Sequence, residues 1–73
     1  MPKLRVLSGR ECRAILEANG FSFVHHRGSH MKLERPLENG TLTVIVPDHK
    51  EISKSTLSDI IRQSGLPRDL FAS

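Results

Sequence analysis

Three short segments of this chain carry a period of two, and no other feature constrains the fold as much. Phe21 and Phe23 stand two apart in the run Phe21 to Arg27, Met31 and Leu33 do the same in His30 to Arg35, and Thr41 to Val46 is rich in β-branched residues. Strand side chains alternate between faces, so each segment reads as a strand with one face inward. Gly28-Ser29 supplies a two-residue turn, Pro36 to Gly40 a second turn region, and Pro47 closes the third strand. The expectation is a three-stranded antiparallel meander with His30, Lys32, Thr41 and Thr43 on an open face. A slip of one residue would turn a strand inside out, so the register is specified.

Helical signals flank this sheet. Ser8-Gly9-Arg10-Glu11 reads as a capping box, with Cys12, Ile15 and Leu16 following on one stripe. Asn19-Gly20 ends the helix, which should span roughly residues 9 to 19. After the loop from Pro47 to Ile52, either Ser53 or Ser55 can cap a second helix that carries Leu57, Ile60 and Ile61 and stops at Gly65. Pro67 to Phe71 adds a last helical turn. The order is α-β-β-β-α, an α+β class, with 1-73 as one small domain and both helices on one face of the sheet. Its core should bring Phe21, Phe23, Met31, Leu33, Leu42, Val44 and Val46 against Ile15, Leu16, Leu57, Ile60 and Ile61.

Composition narrows the function. The 73 residues include a single cysteine, so no disulfide forms within the chain, and no apolar run approaches the ~20 residues of a membrane span. A cytoplasmic protein with no membrane partner is expected. A formal charge of +3 on so short a chain favours a polyanionic partner.

The string His25-His26-Arg27-Gly28-Ser29-His30-Met31 looks like the remnant of a purification tag. Its place between two strands in phase makes it part of the fold. Three of the four histidines lie within it, and histidine titrates near neutrality, with an unperturbed pKa of about 6.5. His30 would stand beside a glycine turn where Gly28 lets a phosphodiester approach closely and Ser29 adds a hydroxyl and an N–H. A zinc site from His25, His26, His30 and His49 is disfavoured, because adjacent strand residues point to opposite faces and Cys or acidic ligands at closed spacing are missing. Cys12 falls on an apolar stripe, where a buried thiol is ordinary and a nucleophile is not. Arg27, Lys32, Lys50 and Lys54 flank the histidines and together suit phosphate contact.

Ser8-Gly9-Arg10-Glu11, Ile15-Leu16-Glu17, Asn19-Gly20-Phe21, Gly28-Ser29-His30, Val46-Pro47-Asp48-His49, and Thr56-Leu57 with Ile60 to Leu66 stand in an order and spacing that resembles the HicA family of toxins from toxin-antitoxin pairs. The resemblance covers nearly the whole chain. It implies a fold similar to double-stranded-RNA-binding domains and a metal-independent endoribonuclease that cleaves messenger RNA without a cofactor. It further implies a HicB-type antitoxin that binds and silences the toxin, with assembly into oligomers only in that complex. The family's catalytic histidine maps onto His30; Gly28, Ser29 and His49 are supporting candidates, while His25 and His26 inherit no role. One departure is Ser55-Thr56-Leu57, where the family commonly has Gly-Thr-Leu. A non-catalytic RNA-binding module of the same fold is the alternative.

Overall fold

The computed structural model describes residues 3–72. Helix α1 (Gly9–Ala18) begins at the predicted box: the Glu11 N–H donates to Ser8 Oγ at 3.1 Å, and the Ser8 N–H donates to Glu11 Oε1 at 2.9 Å. The Ser8 N–H holds the Glu11 carboxyl below its ordinary pKa of 4.5. That share of the cap is therefore fully present above the ordinary value and lost as pH falls through the lower, folded one.

Strands β1 (Ser22–Arg27), β2 (His30–Leu37) and β3 (Gly40–Pro47) form one antiparallel sheet in the order β1-β2-β3. Helix α2 (Lys54–Ser64) is capped by Ser53 rather than Ser55, since Ser53 Oγ accepts the Thr56 N–H at 3.3 Å. It stops at Gly65, whose φ of 70° is left-handed and suits a residue without Cβ. A 3₁₀ turn, η1 (Arg68–Phe71), follows. The architecture is α-β-β-β-α, as the patterning predicts.

Both helices bury their stripes on one sheet face. Cys12 and Leu16 of α1 and Leu57 and Ile60 of α2 join Met31, Leu33, Val44 and Val46 in a single apolar cluster, with Ile15, Leu42 and Ile61 at its margin. Leu4, Leu7, Ile52 and Phe71 complete it from segments that carry no periodic signal. An isolated bridge between Leu4 and Ala72, with the Arg5 N–H on the Phe71 carbonyl at 3.0 Å, ties the two ends of the chain together. Among the described residues, no helix is long and apolar enough to cross a membrane.

Two expectations need correction. Phe23 does not sit in the core; it is 37% exposed, at the edge of the sheet, with the Arg13 guanidinium 3.9 Å from its ring centroid. Beyond it β1 bulges: Phe23 pairs with Leu33 but His25 with Lys32, so Val24 is an extra residue. The bulge inverts the alternation and turns His26 to the side of Met31, leaving His25 and Arg27 with Lys32 and His30 on the open face. The second turn is also tighter than expected. Pro36 and Leu37 belong to β2 and pair with Thr41 and Gly40. Pairing with β1 ends at Ser22 and Glu34, so at Pro36 the strand has a neighbour on one side only and tolerates a residue without an N–H.

Gly9 sets how closely α1 approaches the sheet. A Cβ at this position would collide with the Pro47 carbonyl oxygen and come within 3.0 Å of Asp48 Cα. Alanine in a helix is ordinarily more stable than glycine. Here Gly9→Ala is expected to destabilise the protein by about 1–3 kcal/mol, as overpacking does, in a denaturant titration. A variant as stable as the parent would contradict the close approach.

Candidate active site

The turn between β1 and β2 is built from Gly28 and Ser29, with Gly28 at a left-handed φ of 59° and open space where its side chain would be. His30 is the first residue of β2, exposed, and in register with Arg27 on one side and Pro47 on the other. The turn is not free to swing. The Asp48 N–H donates to the Ser29 carbonyl at 2.6 Å, one residue beyond the last pair of the β2-β3 ladder.

The following loop is pinned from the other side. The Gly9 N–H at the start of α1 donates to the His49 carbonyl at 2.8 Å, and the Ile52 N–H donates to the Leu7 carbonyl at 2.8 Å while Ile52 itself is buried. These bonds bring His49 to the same depression as His30. Its volume is about 510 Å³, and Ile45, Pro47, Glu51, Ile52, Ser53 and Thr56 complete its lining. Two imidazoles and one carboxylate therefore border a common space that opens to solvent, with Ile45, Pro47 and Ile52 as its apolar lining.

The first turn of α2 borders this space through Ser53 and Thr56. Helix N-termini present unpaired N–H groups and a partial positive charge, which favours an anion there. Ser53 Oγ is already engaged with the Thr56 N–H, and it donates to Thr56 Oγ1 at 3.0 Å. Among the described residues, no side chain caps the Lys54 and Ser55 N–H groups in this way.

Of the predicted basic residues, Arg27, Lys50 and Lys54 are exposed and form no ion pair among the described residues. Lys32 Nζ lies 3.5 Å from Glu34 Oε2 on the open face, a half-exposed pair of little energetic weight. None of these four lines the His30 depression; they stand around it. His25 shares the open face with Lys32, and His26 turns away, its Nε2 lying 3.6 Å from Asp48 Oδ2. Among the described residues, no three His, Cys, Asp or Glu side chains gather to hold a metal ion.

Sequence reasoning missed Glu51 and Asp48. A single carboxylate in a loop has no spacing partner to mark it, and only the folded path of the loop puts Glu51 beside the histidines. The Val46-Pro47-Asp48-His49 run was the available signal, and it pointed at His49 alone.

A family model described as the HicA toxin of bacterial toxin-antitoxin matches residues 9–66 of the 73. No curated protein matches the chain. The matched span runs from the first residue of α1 past the end of α2 and contains every residue that lines the His30 depression.

Cys12 lies outside this site, wholly buried, and burial pushes its thiol up to about 11. The thiolate is the reactive form, so the native protein should resist an alkylating reagent at mildly alkaline pH and take it up readily in denaturant, as read by mass spectrometry. Rapid labelling of the folded chain would contradict the placement of Cys12.

Proposed function

This chain belongs to the HicA toxin family, the toxin side of a toxin-antitoxin pair with a cognate antitoxin as partner, and from that premise we propose that it is an endoribonuclease acting on messenger RNA. The observation that carries the proposal is the shared depression: the His30 and His49 imidazoles and the Glu51 carboxylate border one space beside the first turn of a helix.

RNA carries its own nucleophile. A base removes the 2′-hydroxyl proton, the 2′-oxygen attacks the adjacent phosphorus, and the P–O5′ bond breaks as an acid gives a proton to the departing 5′-oxygen. Products are a 2′,3′-cyclic phosphate and a 5′-hydroxyl. The reaction needs no metal if the protein supplies both proton transfers and steadies the charge that grows on the phosphate. His30 serves as general base in this reading, a role typically worth about 10²–10⁴ in rate. His49 is the candidate acid, with the Glu51 carboxylate beside it on the same depression. The second-helix N–H groups and the Ser29 turn offer donors for the developing negative charge.

Around this centre Arg27, Lys32, Lys50 and Lys54 hold the RNA by its phosphates, with a binding strength that falls as salt rises. Gly28, lacking a side chain, leaves the backbone of the turn open to the substrate. The antitoxin, of HicB type, would silence the toxin by covering the open face and the His30 depression.

His30→Ala is expected to lower RNA cleavage by at least about 10²-fold with the fold intact by circular dichroism, and a chelator should leave the parent protein's rate unchanged. A variant that cuts as fast as the parent would remove His30 from the mechanism. If parent and variant both retain RNA and neither produces new ends, the chain is a binding module instead.

A further inference from the structure

A second, smaller depression of about 290 Å³ lies on the helix side of the same hairpin, lined by Arg10, Arg13, Glu17, His26, Met31 and Asp48. Its two arginines and its histidine are already engaged. Arg10 Nε is 3.5 Å from Asp48 Oδ1, His26 Nε2 is 3.6 Å from Asp48 Oδ2, and Arg13 Nε is 3.3 Å from Glu17 Oε1 while its guanidinium covers Phe23. The charges are paired internally, so the depression offers no surplus to a free anion.

The meaning of this cluster lies in what Asp48 holds. Its carboxylate is gripped from α1 by Arg10 and from β1 by His26, and its own N–H is bonded to the Ser29 carbonyl. Asp48 is also flanked in sequence by Pro47, which is in register with His30, and by His49. The residue thus joins the first helix, the edge strand, the turn before His30 and the loop that carries His49.

We propose that Asp48 is a positioning residue, whose side-chain clamp between Arg10 and His26 fixes the 47–49 loop and so sets His30 and His49 at their working separation. The Asp48 side chain is 21% exposed, His26 41% and Arg10 82%, and pairs this open contribute little to global stability. Geometry is more sensitive than stability. Misplacement of a reacting group by about 1 Å can cost on the order of 10²-fold in rate. The clamp is therefore expected to affect turnover far more than melting.

This inference rests on the ribonuclease reading, and the test separates the two. Asp48→Asn keeps the size of the side chain and removes its charge. On one RNA oligonucleotide that the parent cuts, kcat should fall roughly tenfold or more with KM within about twofold, and Asp48→Glu should restore most of the loss. His26→Gln, which releases one side of the clamp, should lower kcat in the same sense, and it carries the test if Asp48→Asn fails to fold. In the absence of RNA, the imidazole proton resonances of His30 and His49 should move in Asp48→Asn relative to the parent. An unchanged kcat with unmoved resonances, or a loss carried by KM alone, would overturn the proposal. Should His30→Ala cut RNA as the parent does, the ribonuclease assignment of His30 fails by itself, while the two imidazole signals still report on the clamp.

Discussion

The close approach of α1 to the end of β3, open only to a residue without a side chain at position 9, underlies the whole arrangement around His30. Gly9 lies against the Pro47 carbonyl, and its N–H reaches the His49 carbonyl at 2.8 Å. A loop that would otherwise lie free over the surface is held between the first helix and the first hairpin. The capping box just before it fixes the direction in which α1 starts, so the contact is set by local sequence on one side and by sheet register on the other. The bond from the Asp48 N–H to the Ser29 carbonyl then locks the hairpin turn to the same loop.

What this scaffold presents is a division of labour between two faces. One face of the sheet is occupied by both helices and supplies the stability of a small domain, with Cys12, Leu16, Leu57 and Ile60 packed on Met31, Leu33, Val44 and Val46. The other face keeps His25, Arg27, His30 and Lys32 in water. In the proposed reaction the chemistry lies where the open face meets the loop, because there His30 and His49, far apart in sequence, share one concave space. The positively charged residues stand outside that space, which suits a substrate held by its phosphates along a length greater than the reacting bond.

Much of this was legible in the sequence, and the failures have identifiable causes. The capping box at Ser8, the Gly28-Ser29 turn and the alternation of Met31 with Leu33 each follow from local rules, and each stands where those rules put it. The β1 phase was not legible: a bulge at Val24 is a property of pairing with β2, and nothing in Phe23-Val24-His25 marks it. Leu4, Leu7, Ile52 and Phe71 lie in segments too short to show a period, although all four enter the core. The choice of Ser53 over Ser55 as cap depended on where the 48–52 loop releases the chain. Asp48 was invisible because its neighbours come from α1, β1 and β2 rather than from adjacent sequence, and Glu51 because only the folded loop brings it to the depression that His30 of β2 borders. His30 stood out because its turn and its strand are local; its surroundings did not.

The central claim is that protein side chains alone move the protons while RNA supplies its own nucleophile. The chemical identity of the ends left by cleavage tests it most directly, read by mass spectrometry of the products from one short RNA. The account predicts a 2′,3′-cyclic phosphate or its 3′-phosphate hydrolysis product on one fragment and a 5′-hydroxyl on the other, with no cleavage where the 2′-hydroxyl is replaced by hydrogen. A 3′-hydroxyl paired with a 5′-phosphate would mean that water, and not the 2′-oxygen, attacks phosphorus, and would contradict it.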